Sequence, residues 1–484
     1  MALLNDPRWS GAVLSGGWRT VANTIPNIDP STGLTIGQTG MADADDVARA
    51  VDDAVNAQAG WAAKSAEERA RILRHAGDII AEREEELADI LMIEAGSAGG
   101  KAHFEAALVA GEFYAAAATA MMPYGQLLRS GKPRLSMARR RPVGVVGVIS
   151  PFNFPAILSI RSVAPAIALG NAVILKPDPR TPLSGGFFLA QVFEDAGLPS
   201  GVLHVLPGGS DAGEALIDHP LVPVISFTGS TAVGRAIGER AGRNLKRAHL
   251  ELGGNNALVI LADADVDAAA SAGAWGSFLH QGQICMTTGR HFVHASIHDE
   301  YVDRLAQRAA ALSAGDPRSG APLGPLIDDV QRDRVHRLVS ETIAAGGKLI
   351  VGGTYDGRFY APSVLTELDA SSPAFAEEIF GPVAAVVAFE NTDQLVELVN
   401  ASPYGLSLGI LSSDAFAAFE LSERIPAGIV HINDQTVDDE PAAPFGGVGA
   451  SGTGSRFGGH EANIEAFTET QWITIQGEIA RYPW

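Results

Sequence analysis

The chain has 484 residues and a mass of 50.4 kDa, more than one hydrophobic core can organise, so two or three domains are expected. Hydrophobic residues make up 46% and charged residues 19%, as in an ordinary globular protein, but 56 acidic against 35 basic side chains leave a formal charge of −21. That field repels nucleic acid and anionic lipid, which excludes both as expected partners.

From the N-terminus, Asp6 and Pro7 stand where the apolar core of a secretory signal would lie, so no export signal is read. Ser65-Ala66-Glu67-Glu68 has capping-box spacing and opens an amphipathic helical stretch to about Ala95, with Glu82, Glu84, Glu85 and Glu86 as a solvated face. Lys101 to Met122 is an alanine-rich helical segment. The basic stretch Ser130 to Arg141 reads as an exposed hairpin or interface arm, because the overall charge argues against a nucleic-acid patch at Arg139-Arg140-Arg141. Beyond it, short apolar runs at Val143–Ile149, Asn171–Leu175, Gly201–Leu206 and Val222–Phe227 alternate with helical stretches, the pattern of a doubly wound parallel sheet. The runs at 164–175 and 382–389 are too short to span a bilayer. His291-Phe-Val-His294 reads as strand, since two imidazoles without a carboxylate or thiol partner make no metal site. Gln471 to Gln476 alternates like an edge strand that could pair with the arm or with another subunit.

Five segments and one cysteine carry residue types suited to chemistry. Cys285 is the only cysteine, so there is no disulfide framework and no Cys-based metal site, and the reducing cytoplasm is the expected compartment. In its Gly/Gln-flanked setting the thiol is either a nucleophile or a small buried hydrophobe. Ser150-Pro151-Phe152-Asn153-Phe154-Pro155 follows a core strand; its rigidly held Asn153 amide suits an oxyanion or a turn cap. Lys176, at a strand's C-terminal end, could reach ribose hydroxyls or sit in a surface turn. Gly229, Ser230 and Gly234 lie where a strand gives way to a helix, which suits a pyrophosphate or an ordinary turn. Glu251 is flanked by Leu250 and Leu252 before two glycines; it is a general base with a raised pKa or a salt-bridged carboxylate. In Glu377-Glu378-Ile379-Phe380 one carboxylate could bind ribose hydroxyls and Phe380 could pack on a ring.

In order and spacing these segments resemble the aldehyde dehydrogenase superfamily from end to end. Cys285 stands 34 residues after Glu251, and Gly282-Gln283-Ile284-Cys285 with Arg290 is similar to the family's cysteine signature. Pro444-Phe445-Gly446-Gly447 with Ser451-Gly452 is similar to its late glycine-rich motif. Gln283 to Arg290, Glu251 to Asn256 and His431 to Glu440 resemble the aromatic-aldehyde branch: bacterial benzaldehyde dehydrogenases first, with vanillin and salicylaldehyde dehydrogenases as near relatives.

The resemblance implies oxidation of an aromatic aldehyde to its acid. Cys285 would form a thiohemiacetal and then a thioester, Asn153 would hold the oxyanion, and Glu251 would activate the hydrolytic water. It implies a cofactor site of Ser150, Pro151, Phe152, Lys176, Gly229, Ser230, Gly234, Leu252, Glu378 and Phe380, with no metal. It implies a Rossmann-like cofactor domain over 1–122 and 142–251, an α/β catalytic domain over 252–453, and a β-arm oligomerisation element over 123–141 and 468–484, in a homodimer or homotetramer. NAD is the expected cofactor, with NADP possible: Pro179 replaces the glutamate usual in NAD-preferring members, and the cation Arg180 follows. The aldehyde tunnel is expected to include Phe154 and residues near Tyr114 and Val437. Asp438-Asp439-Glu440 reads as a loop near the substrate mouth, not as a hydrolase carboxylate pair. A CoA-acylating dehydrogenase would lack Glu251, and a silent scaffold would have no need of Cys285, Glu251 and Asn153 together.

Overall fold

A computed structural model describes Leu4 and residues 6–484; the other positions of the N-terminal stretch read for a signal lie outside the described residues. Its first large sheet has seven strands, ordered Arg247–Leu252, Val224–Gly229, Val145–Ile149, Ala172–Lys176, Leu203–Val205, Ala12–Leu14 and Trp18–Thr20. The first five are mutually parallel and the last two antiparallel. All four predicted apolar runs are strands here, because helices cover both faces and leave no polar side to alternate with. Among the five parallel strands the chain enters at the central one, Val145–Ile149, steps outward through two strands, then returns to that strand's other side with Val224–Gly229. Such a reversal splays the loops at the strands' C-terminal ends and opens a crevice between them. Ser150–Phe154, Lys176 and Gly229–Ser230 all sit at those ends.

The second sheet also has seven strands, in the order Lys348–Val351, Ser363–Thr366, Val383–Phe389, Thr288–His294, Asn256–Ile260, Ser407–Leu411 and Ile429–Ile432. All its pairings are parallel except the first. Cys285 lies just before its central strand Thr288–His294. The third sheet is the arm: Thr468–Ile475 pairs antiparallel with Leu135–Pro142, which pairs with Gly125–Leu127. The C-terminal strand thus pairs with the arm of its own chain. Arg139 donates to Gln471 at 3.1 Å and Trp472 to Ser136 at 2.9 Å across that pairing.

Two readings change. The amphipathic stretch from Ser65 is two helices, Ala66–Glu82 and Glu84–Glu94, broken at Arg83. Arg83 stacks on Phe188 at 4.6 Å and pairs with Glu86 and Asp195, so tertiary contacts set the break. Glu86 is therefore ion-paired rather than simply solvated, and its side chain is only 14% exposed. The Ser65–Glu68 capping box is present. His291 is buried, its two ring nitrogens within 2.7 Å of Ser277 Oγ and Tyr301 OH, as befits a strand residue. Among the described residues no helix is long and apolar enough to cross a membrane, and no cluster of three or more His, Cys, Asp or Glu could hold a metal ion.

Candidate active site

Three consecutive left-handed residues, His280, Gln281 and Gly282, deliver Cys285 to the junction between the two large sheets. For non-glycine residues this conformation is costly, so surrounding contacts must impose it. Gln281 donates to Gly96 O and Pro325 O, and Gln283 Oε1 accepts from the Ile327 amide at 3.1 Å. Downstream, the Asn256 amide donates to both Cys285 O and Thr287 O at 2.8 Å, and Thr436 Oγ1 donates to Met286 O at 2.7 Å. The sulfur is therefore clamped from both sides of its loop.

Two cavities meet at that sulfur. One, of about 440 Å³, is mostly apolar, with Phe154, Ile157, Leu279, Met286, Val437 and Phe445 in its wall and Lys101, Arg161, Asp434, Asp438 and Asp439 as charged members. The other, of about 550 Å³, lies along the crevice of the first sheet. Cys285, Asn153 and Leu158 line both. Of the expected cofactor residues, Ser150, Pro151, Phe152, Lys176, Gly229, Ser230, Leu252, Glu378 and Phe380 line the second cavity. Gly234 lines neither. It is buried in the helix Thr231–Arg243, where an added Cβ would come within 2.2 Å of Leu252, so its place is close helix–strand packing. Phe154 and Val437 line the first cavity as expected, but Tyr114 does not: it is half-exposed and its hydroxyl donates to Asp78. The same helix contributes Phe104 and Leu108 instead.

Asn153 is buried, and its amide donates one hydrogen bond to Gln283 O at 2.8 Å, two residues before the sulfur. A primary amide has two N–H groups, so one remains available. Burial pushes the Cys285 thiol up to about 12; Glu378 and Glu251 push the same way, while Arg161 and the Met286 amide oppose them. Burial likewise pushes the Glu251 carboxyl well above the usual range, against Arg161, Arg456 and the Gly447 amide. Glu251 lines neither cavity; it lies beside Gly446, where an added Cβ would meet Oε1 at 2.8 Å. Glu378 is raised to about 7 by burial, and the Gly254 amide donates to it at 3.1 Å. Phe380 meets Phe152 edge-on at 6.1 Å.

Arg180 corrects a sequence reading. It lines the second cavity, but it is not a free cation. It donates to Asp178 at 2.9 and 2.8 Å and to Asp328 at 2.5 Å, and lies 4.3 Å from the Phe152 ring. Sequence reasoning also missed Arg161, which pairs with Asp439 and Glu112 and stacks on Phe445 at 4.4 Å. The signal was present: one cation stands in the helix Pro155–Ala168, whose residues are all buried. A buried charge must have partners, and that alone marks the position. Asp438 and Asp439 line the first cavity, with Asp439 used as that counter-ion.

The model for the aldehyde dehydrogenase family matches residues 18–473. The chain belongs to the aldehyde dehydrogenase family. It is 58% identical to a vanillin dehydrogenase of Amycolatopsis sp., over 100% of both chains. It is 48% identical to a benzaldehyde dehydrogenase (NAD(+)) of Pseudomonas putida, over 99% of each. The structure of a salicylaldehyde dehydrogenase from Pseudomonas putida G7, complexed with salicylaldehyde, superposes with a TM-score of 0.94 at 33% identity, covering 98% of this chain and 99% of that one. These relatives fall in the aromatic-aldehyde branch, and the vanillin enzyme is nearer than the benzaldehyde enzyme.

Proposed function

We propose that this family member oxidises aromatic aldehydes to carboxylic acids with NAD, using Cys285 as nucleophile, Asn153 as oxyanion donor and Glu251 as general base. The observation that carries the reading is the meeting of an apolar cavity of about 440 Å³ and a crevice cavity of about 550 Å³ at Cys285 and Asn153. An apolar wall rich in Phe, Leu and Ile suits an aryl ring. Benzaldehyde and vanillin are the substrates that the relatives' names favour, with salicylaldehyde as a third.

In the reaction, the Cys285 sulfur bonds to the aldehyde carbon. The carbonyl oxygen becomes an anion that accepts from the free N–H of Asn153 and from the Cys285 amide. Because burial disfavours the thiolate, a base must take the thiol proton, and Glu251, itself raised, narrows the gap between donor and acceptor. When bound, nicotinamide supplies the acceptor for the hydride that leaves the substrate carbon. The acyl group then rests on Cys285 as a thioester. Glu251 first passes the thiol proton to solvent and then takes a proton from the attacking water; the C–S bond breaks, that proton returns to the sulfur, and the acid departs.

The crevice fits a dinucleotide. Lys176 lies at a strand end for ribose hydroxyls, the N–H groups after Ser230 face a pyrophosphate path, and Glu378 with Phe380 suits the nicotinamide ribose. NAD is favoured over NADP because Asp178 and Asp328 already neutralise Arg180. The grouping of the strands into three main sheets supports the domain division given by the resemblance. A homodimer or homotetramer joined through the arm accounts for the exposure of Leu127, Leu135, Trp472 and Ile475. A lone unpaired thiol suits a reducing cytoplasm.

The test is a panel of benzaldehyde, vanillin, salicylaldehyde and an aliphatic aldehyde with each cofactor, before and after iodoacetamide. The reading requires aromatic substrates to be preferred with NAD and all activity to vanish as Cys285 is alkylated. Alkylation with no activity to lose would favour a silent scaffold; a tenfold preference for NADP would overturn the cofactor assignment.

A further inference from the structure

Directly beneath the Asn153 segment lies a buried ion pair that the reaction above does not use. Lys101 and Glu105 are one turn apart on the helix Gly99–Ala120, and neither side chain is exposed to solvent. An ammonium has three N–H groups, and here all three have acceptors. Lys101 Nζ donates to Ser97 Oγ at 3.0 Å, to Glu105 Oε2 at 2.5 Å and to the backbone carbonyl of Asn153 at 2.9 Å. It also lies 4.0 Å from the Phe154 ring centroid. Glu105 spends its other oxygen on the amides of Ala156 and Ile157, at 2.9 and 3.2 Å. Those are first-turn N–H groups of the helix that starts at Pro155, groups that no intrahelical carbonyl can serve.

The pair therefore grips both sides of one short loop. Lys101 holds the carbonyl of Asn153, and Glu105 holds the helix that begins two residues later. From the fixed loop, the Asn153 amide reaches Gln283 O, two residues before Cys285. Replacing a buried ion pair by apolar groups is often neutral or stabilising, so stability gives a weak reason for this one. Fixing a direction gives a stronger one, because a donor displaced by about 1 Å can lose on the order of 10² in rate.

We propose that Lys101 and Glu105 are positioning residues that aim the Asn153 amide at the oxyanion formed on the Cys285 adduct. The proposal rests on the catalytic reading above, but it is tested on a reaction needing neither aldehyde nor cofactor. In 4-nitrophenyl acetate the Cys285 sulfur attacks the ester carbonyl carbon. The same oxyanion forms and collapses, the C–O bond breaks, nitrophenolate leaves, and water later frees acetate from the sulfur.

The experiment measures the nitrophenolate burst for the parent enzyme, Lys101→Met, Glu105→Gln, Asn153→Ala and Lys101→Met/Asn153→Ala. The expected result is a burst rate lowered about 10- to 100-fold by Lys101→Met, within the loss of about 10²–10³ for removing the donor outright. In the Asn153→Ala background the same substitution should change the rate less than threefold, since there is no amide left to aim. Equal losses in both backgrounds would assign the pair a general structural role and overturn the proposal. So would an unchanged burst in folded Lys101→Met. Should Lys101→Met not fold, Glu105→Gln, nearly the same shape, carries the same comparison. A parent enzyme that gives the burst but oxidises no aromatic aldehyde would instead sink the substrate assignment.

Discussion

Glu251→Gln separates the chemistry of the site from its stability, because the two should move in opposite directions. Glutamine keeps the shape of the side chain and removes the base. A positioned general base contributes about 10²–10⁴-fold, so thioester hydrolysis should slow by that range and acylated Cys285 should accumulate. Acid quenching followed by intact-mass measurement reads that accumulation. Burial raises the Glu251 pKa, outweighing Arg161, Arg456 and the Gly447 amide. Ionising this group in the folded chain costs about 1.4 kcal/mol for each pK unit of displacement. For an acid whose folded pKa exceeds its unfolded value, that cost is absent below the ordinary value of 4.5 and grows as pH rises toward the folded value. Glu251→Gln should therefore melt above the parent at pH 8, by a margin that shrinks as pH falls toward 5. Hydrolysis at the parental rate would refute the assigned base. A lower melting point at pH 8, or a margin independent of pH, would refute the account of its burial.

Cys285→Ser should abolish oxidation of every aldehyde in steady-state assays while leaving NAD binding by fluorescence titration unchanged, since the proposed reaction uses the sulfur as its attacking atom. Asp328→Asn should loosen Arg180 and raise kcat/KM for NADP relative to NAD; an unchanged ratio would mean that Arg180 does not face the cofactor's 2′ position. Trp472 is 63% exposed on the arm, so Trp472→Glu should shift the protein to smaller assemblies in light scattering, with the fold retained by circular dichroism.

What could be read from the chain was what neighbouring residues decide among themselves. The strands at Val145–Ile149 and Ala172–Lys176 are apolar runs bounded by glycine, proline or asparagine, and the Ser65 cap is set by a residue three positions on. The helix break at Arg83 has no glycine or proline to announce it; Phe188 and Asp195, more than a hundred residues away, fix it. Charge partners were hidden for the same reason. Arg180 looked like a free cation until Asp328 met it from another part of the chain, and Arg161 was passed over until Asp439 did. Residue types at Cys285, Glu251 and Asn153 were legible as chemistry. Their common surroundings were not, since the clamp of Asn256, Thr287 and Thr436 joins segments up to 180 residues apart.

One physical choice links these observations. A cavity that accepts an aryl ring must be apolar, and the wall from Phe154 to Phe445 surrounds the sulfur with apolar groups as well. Apolar surroundings strengthen the pull of the Asn153 amide on the oxyanion of the proposed reaction. Burial there raises the Cys285 thiol and the Glu251 carboxyl, so the proposed nucleophile is protonated at rest. Arg161 is the cation that pulls back on both, yet Asp439 and Glu112 already claim it. Its positive charge is thus largely spent before it reaches the sulfur. In the proposed reaction the thiol is then activated by proton transfer to a carboxyl raised by burial rather than by a standing positive field. Arg161→Met should accordingly shift the acidic limb of the pH–rate profile to higher pH, because removing the cation raises Glu251 further; a limb that stays in place would show that the guanidinium acts on Asp439 and Glu112 alone.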